Sequence, residues 1–190
     1  MSGGWGNIET PIDPPFAPSE FEARLAQARA TMASGGIDLL IVSSPENIYY
    51  LTGYRTTGYY VYQLFLLPRE GEGWFVTSKL EHTNVLGLSR VTNGLTVGMM
   101  DSSLEVTIRA AEKAGASDAA RIGYEERGFW IPPEILDGLR DRFGQAAFVP
   151  AGYVLERARA IKSPAEIACI REAARIASLG VRAGLDAVAP

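Results

Sequence analysis

A short, unbroken apolar run at residues 38–42 (DLLIV) constrains the fold more than any other feature of this chain. Four aliphatic residues in succession have no polar face to turn to water, so the strand they predict is buried on both sides. Such a strand needs layers above and below it, and the flanking sequence supplies them. Before it, Ser19 and Glu22 read as a capping box, Phe21, Leu25, Ala28 and Met32 recur as one helix face, and Gly35-Gly36 ends the segment. After it, residues 43–53 (SSPENIYYLTG) read as a turn-rich connection and residues 54–62 as an aromatic segment. Two strands follow at 64–67 and 74–77, joined by PREGEG as a hairpin. A helix over 79–89, a strand over 95–99 and a helix capped by Ser102 and Glu105, with the face Leu104, Ile108 and Ala111, come next. A strand at 121–124, a helix at 132–143 carrying Ile135, Leu136 and Leu139, and a strand at 147–149 complete the pattern. This alternation predicts an α/β fold, a mixed β-sheet of about six strands flanked by helices.

Two segments stand outside that alternation. Residues 1–18 hold Gly3, Gly4 and Gly6 with Pro11, Pro14, Pro15 and Pro18, and read as an extended N-terminal arm. At the other end Ser163, Pro164 and Glu166 open a helix with a capping box and a proline at its first position. Ile167, Ile170, Ala174, Ala177 and Val181 then form a stripe about 100° wide that must pack on something. The expected organisation is an arm over 1–18, an α/β domain over 19–158, and a linker with the first helix of a further, truncated domain over 159–190.

Composition narrows the function. A net charge of −4 offers no electrostatic case for nucleic acid or an anionic membrane, and neither is expected as a partner. No apolar run approaches the roughly 20 residues of a membrane span. The N-terminus lacks a basic region followed by an apolar core, which predicts no secretory signal. With Cys169 as the single cysteine no internal disulfide can form, which fits a reducing cytoplasm. Cys169 lies beside Ile167 and Ile170 and reads as a packed small residue, since no histidine is near it in sequence to activate it.

No catalytic machine can be assembled from what remains. His82 is the only histidine, and its neighbour Glu81 would diverge from it by about 100° on a helix, so the pair reads as a solvated face and not as a chelate. Glu125-Glu126 follows a strand end, where α/β proteins place function, yet without a partner base the two read as solvated or bonded to a loop. Nucleophile-elbow, P-loop and dinucleotide-binding patterns are missing. Neither a catalytic residue nor a metal ligand is expected. The segment with the composition of a site is 47–63, where Tyr49, Tyr50, Tyr54, Tyr59, Tyr60 and Tyr62 crowd around Arg55, Thr56, Thr57 and Gly58. Tyrosine offers a broad apolar face and a hydroxyl at low entropic cost, which suits contact surfaces. Tyr49 and Tyr50 read as core; Tyr54, Arg55, Tyr59 and Tyr60 are the candidates for substrate binding or a subunit interface.

Two stretches resemble the creatinase/prolidase family of metallohydrolases, the Xaa-Pro peptidase-like or "pita-bread" enzymes. Ser44-Pro-Glu-Asn-Ile-Tyr-Tyr-Leu-Thr-Gly-Tyr54 is similar to that family's N-terminal Asn-x-x-Tyr-Leu-Thr-Gly signature. The segment from Arg159 through Lys162, Ser163, Glu166 and Ile167 is similar to the Arg-x-x-Lys-Ser-x-x-Glu-Ile junction at which the family's catalytic domain begins. The resemblance spans residues 18–190. It implies an N-terminal α/β domain and the opening helix of an absent catalytic domain. The family's two divalent metal ions (Mn, Co or Zn), held by Asp, Asp, His, Glu and Glu, would lie in that absent domain, with no cofactor in this chain. It also implies a homodimer in which the loop over residues 54–63 reaches the partner's active-site mouth. Creatine-processing members place an aromatic and then an arginine in that loop; Tyr59 and Val61 stand there, with Arg55 earlier, so creatine is not the expected substrate.

The leading expectation is a non-catalytic, substrate-selecting and dimerising domain of a metal-dependent C–N hydrolase acting on a small peptide or amino-acid-derived substrate. The alternatives are a non-catalytic peptide- or protein-binding module of the same fold, and an interaction domain whose last helix pairs with its own copy.

Overall fold

The apolar run becomes β1 (Leu39–Val42), and all four of its residues are buried. The structure, a computed structural model, describes residues 16–128 and 130–188. Around β1 the chain runs α1 (Pro18–Ser34), α2 (Pro45–Thr52), β2 (Gln63–Pro68), β3 (Trp74–Ser78), a 3-10 turn (Lys79–Glu81) and α3 (His82–Leu88). It continues through β4 (Gly94–Val97), α4 (Ser103–Lys113), β5 (Arg121–Tyr124), α5 (Pro133–Arg142), β6 (Ala147–Pro150), α6 (Tyr153–Ala160) and α7 (Pro164–Ala187). The described residues divide into two compact units, one ending at Ala158 and one beginning at Arg159.

In the first unit the strands form a six-stranded mixed sheet in the order β4-β3-β2-β1-β5-β6. β1 pairs antiparallel with β2, Val42 opposite Phe65, and parallel with β5, Leu39 opposite Ile122. Because side chains alternate along a strand, β1 serves two cores. Leu40 and Val42 join Phe65, Leu67, Ile48, Leu51, Ala28, Met32 and Val154 on one face. Leu39 and Ile41 join Leu64, Leu66, Val106, Ala110, Ile135 and Leu139 on the other. Helices α1, α2, α3 and α6 therefore cover one face and α4 and α5 the opposite one, which makes the α/β sandwich that the sequence predicts.

Several local expectations are corrected. Helix α1 starts at Pro18 with Ala17 as its N-cap and no side-chain cap, so the Ser19–Glu22 box does not form; proline's fixed φ suits the first helical position and sets the first turn two residues earlier. The arm expected over residues 1–18 lies outside the described residues up to position 15, and Pro18 belongs to α1. On the face of α1 Arg24 is buried to 3% exposure, because its guanidinium lies 4.2 Å from the Phe16 ring centre and 4.5 Å from that of Tyr50 and donates to the Tyr50 carbonyl at 3.0 Å. The connection at 43–53 is mostly helix: Ser44 accepts from the Asn47 backbone N–H, Pro45 opens α2, and Gly53 closes it at φ +77°. Only glycine takes that left-handed turn without strain, and a Cβ there would also crowd the Phe21 ring at 3.1 Å. Helix α6 was not expected, although Val154, Leu155 and Ala158 carry its spacing.

Both carboxylates of the Glu125-Glu126 pair are bonded to loops. Glu125, 8% exposed, accepts from the Ser43 backbone N–H at 2.6 Å, the Ser43 hydroxyl at 2.9 Å, the Ser44 N–H at 2.7 Å and the Asn47 amide. Glu126 accepts from the Gly152 N–H at 2.9 Å. Thus the end of β5 holds the β1–α2 corner, and with it the start of the tyrosine-rich loop.

In the second unit α7 carries the expected capping box: the Ser163 hydroxyl accepts from the Glu166 N–H at 3.1 Å and Glu166 accepts from the Ser163 N–H at 2.8 Å. No residue of α7 is buried. Its stripe is exposed, as at Ile170 and Val181, and so is Cys169, which corrects the reading of that cysteine as packed: a helix with no buried position has nothing to pack it against.

Glu125→Ala leaves backbone N–H groups of Ser43 and Ser44 without their acceptor. We expect a loss of about 2–3 kcal/mol in urea unfolding, as a lower midpoint at unchanged slope. A loss within experimental error would mean that water replaces the carboxylate.

Candidate functional site

Residues 53–62 leave the C-terminus of α2 and enter β2 at Gln63, opposite Thr77 near the end of β3. The register therefore delivers this loop to the sheet end where β3 turns into Lys79–Glu81. That turn supplies the brace. The Tyr54 hydroxyl donates to Glu81 Oε2 at 2.5 Å, the Thr56 hydroxyl to the same oxygen at 2.9 Å, and the Asn84 amide at 3.1 Å. Thr56 in turn accepts from the Gly58 N–H at 2.8 Å, and the Gly58 carbonyl accepts from the Val61 N–H at 2.8 Å. Gly58 runs so close to this carboxylate that a Cβ would lie 3.0 Å from Glu81 Oε1. At the far end the Tyr62 hydroxyl meets Thr107 Oγ1 at 2.6 Å.

Electrostatics follow from the brace. Burial would raise the Glu81 carboxyl, but the hydrogen bonds from Tyr54, Asn84 and Thr56 outweigh it and hold the group below its ordinary range. Tyr54 is pushed the other way, first by burial and then by its bond to Glu81, and stays protonated. Tyr62 is likewise pushed up by burial.

The four candidates thus occupy different settings. The Tyr54 ring is core, 2% exposed and edge-on to Phe75 at 5.2 Å, so only its hydroxyl bears on the loop. Arg55 is exposed. Tyr59 and Tyr60 are 54% and 77% exposed and stand edge-to-face at 5.7 Å, with Trp130 a further 6.0 Å from Tyr59. Arg55, Tyr59 and Tyr60 are therefore exposed on a loop hydrogen-bonded from beneath, and of the three the two tyrosines are in ring contact. Tyr50 is buried, and Tyr49 is half-buried.

Glu81 and Trp130 escaped the sequence reading. Glu81 is not the solvated helix residue expected of it; three donors converge on it because the 3-10 turn aims it under the loop. Its place just past a strand end was the available signal. Trp130 follows β5 by several residues, and nothing in its local pattern points to Tyr59. Among the described residues no three His, Cys, Asp or Glu side chains come together as a metal site, so these side chains do not fit a two-metal centre. What the arrangement can do chemically is bind and position: a cation and two phenol rings presented on a braced loop.

Comparison with known proteins places this geometry. Residues 24–161 match the sequence model of the creatinase/prolidase N-terminal domain. The chain is 27% identical over 170 residues to the ectoine hydrolase of Halomonas elongata, covering 85% of this chain and 43% of that protein. It is 24% identical to an uncharacterized hydrolase/peptidase of Sinorhizobium fredii, covering 92% and 47%. Its fold is similar to that of a recombinant prolidase from Thermococcus sibiricus, with a TM-score of 0.75 at 17% identity over 88% of this chain and 44% of the other. The chain spans less than half the length of each of these proteins.

The depressed Glu81 carboxyl makes a testable sign. A lowered folded-state pKa contributes stability that is complete above the ordinary value of 4.5 and is lost as pH falls through the lower folded value. The melting-temperature gap between the wild type and Glu81→Gln should be widest near neutrality and should close as pH drops below 4.5. A gap that does not vary with pH would remove the carboxylate's charge from the brace.

Proposed function

This chain belongs to the creatinase/prolidase N-terminal domain family, and from that membership we propose that it is the non-catalytic, substrate-selecting and subunit-joining part of a metal-dependent hydrolase. The reaction is cleavage of a C–N bond in a small peptide or amino-acid-derived substrate. The observation that carries this reading is the braced loop: Glu81 fixes Tyr54 and Thr56 from below while Arg55, Tyr59 and Tyr60 face outward. A contact surface that is already ordered loses less entropy on binding, which is what a selecting loop requires.

Hydrolysis is supported by the names of the relatives, a hydrolase and a prolidase among them. The two divalent metal ions, Mn, Co or Zn, belong in this reading to the part of the relatives' length that this chain does not span. The metals would supply an activated water there. The loop would act on the active-site mouth of a second subunit in a homodimer, with Arg55 meeting a substrate carboxylate or carbonyl and Tyr59 and Tyr60 shaping the entrance. The single cysteine, which can form no internal disulfide, supports a reducing cytoplasm for the assembly. The apolar stripe of α7, exposed at Ile167, Ile170 and Val181, would be covered by the catalytic portion.

Two experiments test this. The purified 190-residue chain supplied with Mn²⁺ or Co²⁺ should hydrolyse Xaa-Pro dipeptides no faster than the metal alone. Turnover well above that blank overturns the non-catalytic role. In the enzyme joined to its catalytic portion, Arg55→Ala should raise KM about tenfold, with kcat and metal content nearly unchanged, as loss of one charge-assisted contact predicts. Unchanged kinetics would remove the loop from substrate selection.

A further inference from the structure

A cleft lies away from the loop, between α1, the end of α2, the β2–β3 hairpin and the segment that enters β4. It encloses about 500 Å³, within the range of small-molecule sites. Its floor is apolar, built from Phe21, Leu25, Leu51, Phe65, Leu67 and Val91. Four charged side chains line it as well: Glu22, Arg29, Glu72 and Arg90.

These charges are not equivalent. Arg29 is committed to the wall, since it donates to the Pro68 carbonyl at 3.3 Å and to the Gly71 carbonyl, which ties the hairpin to α1. Gly73 adds to that wall by letting the hairpin backbone close on the Phe65 ring, where a Cβ would collide. Arg90 is held by its backbone, whose N–H donates to the Thr52 carbonyl at 3.1 Å. Among the described residues the side chains of Arg90, Glu22 and Glu72 make no ion pair or hydrogen bond, and all three are exposed beside an apolar floor. The cleft is therefore walled in advance, and it offers one uncommitted guanidinium and two uncommitted carboxylates.

We propose that this cleft is a second binding site, for an apolar zwitterion of amino-acid to dipeptide size. The ligand's carboxylate meets Arg90, its ammonium meets Glu22 or Glu72, and its side chain lies on the Phe21–Phe65 floor. A simple anion fits less well because, among the described residues, two carboxylates share the rim with the one free cation. A simple amine leaves Arg90 unanswered. An uncharged apolar ligand gains the floor alone. Arginine favours a carboxylate here because its planar donors match both oxygens. The site is independent of the loop's role, since it shares none of Arg55, Tyr59 or Tyr60.

The test is direct binding to the 190-residue chain, followed by amide chemical shifts, with no activity required. L-Phenylalanine is the probe, and phenethylamine and 3-phenylpropanoate each remove one of its charges. L-Phenylalanine should give saturable shifts at Val91, Thr92, Leu25 and Ala26, with both single-charge analogues at least tenfold weaker. Arg90→Ala, on an exposed side chain, should weaken L-phenylalanine about tenfold while the melting temperature holds. Ala26→Trp, which fills the cleft from the exposed side of α1, should abolish the shifts. Equal binding of all three probes, shifts that map to residues 54–62, or an unaltered affinity in Arg90→Ala each overturns the proposal, as does the lack of saturation at tens of millimolar. Failure here leaves the loop's role untouched, because that role is read from KM in Arg55→Ala.

Discussion

A single buried carboxylate sets the geometry on which the rest of this domain depends. Glu125 sits at the end of β5 and gathers the Ser43 and Ser44 backbone N–H groups, the Ser43 hydroxyl and the Asn47 amide. An isolated carboxylate in that position would be costly, and its four donors are what make it tolerable. In return it locks the corner where β1 becomes α2. That corner decides the direction of α2, hence where Gly53 turns and where the loop begins. The negative charge also lies at the N-terminus of α2, where the helix dipole favours it.

The loop repeats the same device at a smaller scale. Glu81 collects Tyr54, Thr56 and Asn84, and the tyrosine that binds it is itself wedged edge-on against Phe75 in the core. Two acidic side chains thus position the start of the loop, one through the helix that precedes it and one from beneath. The exposed rings of Tyr59 and Tyr60 can then stand at the surface without a core of their own. The hydrogen-bonded support thus lies below the loop and the exposed rings above it.

The β-hairpin side of the sheet is built differently. There Arg29, not an acid, makes the tie, and it spends its donors on the Pro68 and Gly71 carbonyls. The result is a fixed apolar cleft on the face of the sheet covered by α1 and α2, separate in its lining residues from the outward face of the loop.

Much of this was legible before any coordinates, and the reason is local. Strands β1, β2, β3, β5 and β6 announce themselves by apolar runs and turn residues, and α4 and α7 by their capping serines, because those signals act over four or five neighbours. The helix at Pro45–Thr52 carried the same signals and was still read as a turn, since Asn47, Tyr49 and Tyr50 are poor helix formers and the segment is short. The composition of residues 54–60 likewise singled out the loop without telling which ring would be core. Glu125 was readable only as solvated or bonded to a loop, and the partners of Glu125, Glu81 and Arg24 were not readable. Each acts on partners 25 or more residues away, as Glu81 does on Thr56 and Glu125 on Ser43. A charge becomes a brace only when the fold strips its water and brings donors to it. The linear chain therefore carries the order of elements and the identity of the loop, while long-range burial and hydrogen bonding assign the acids that hold it and the faces it shows.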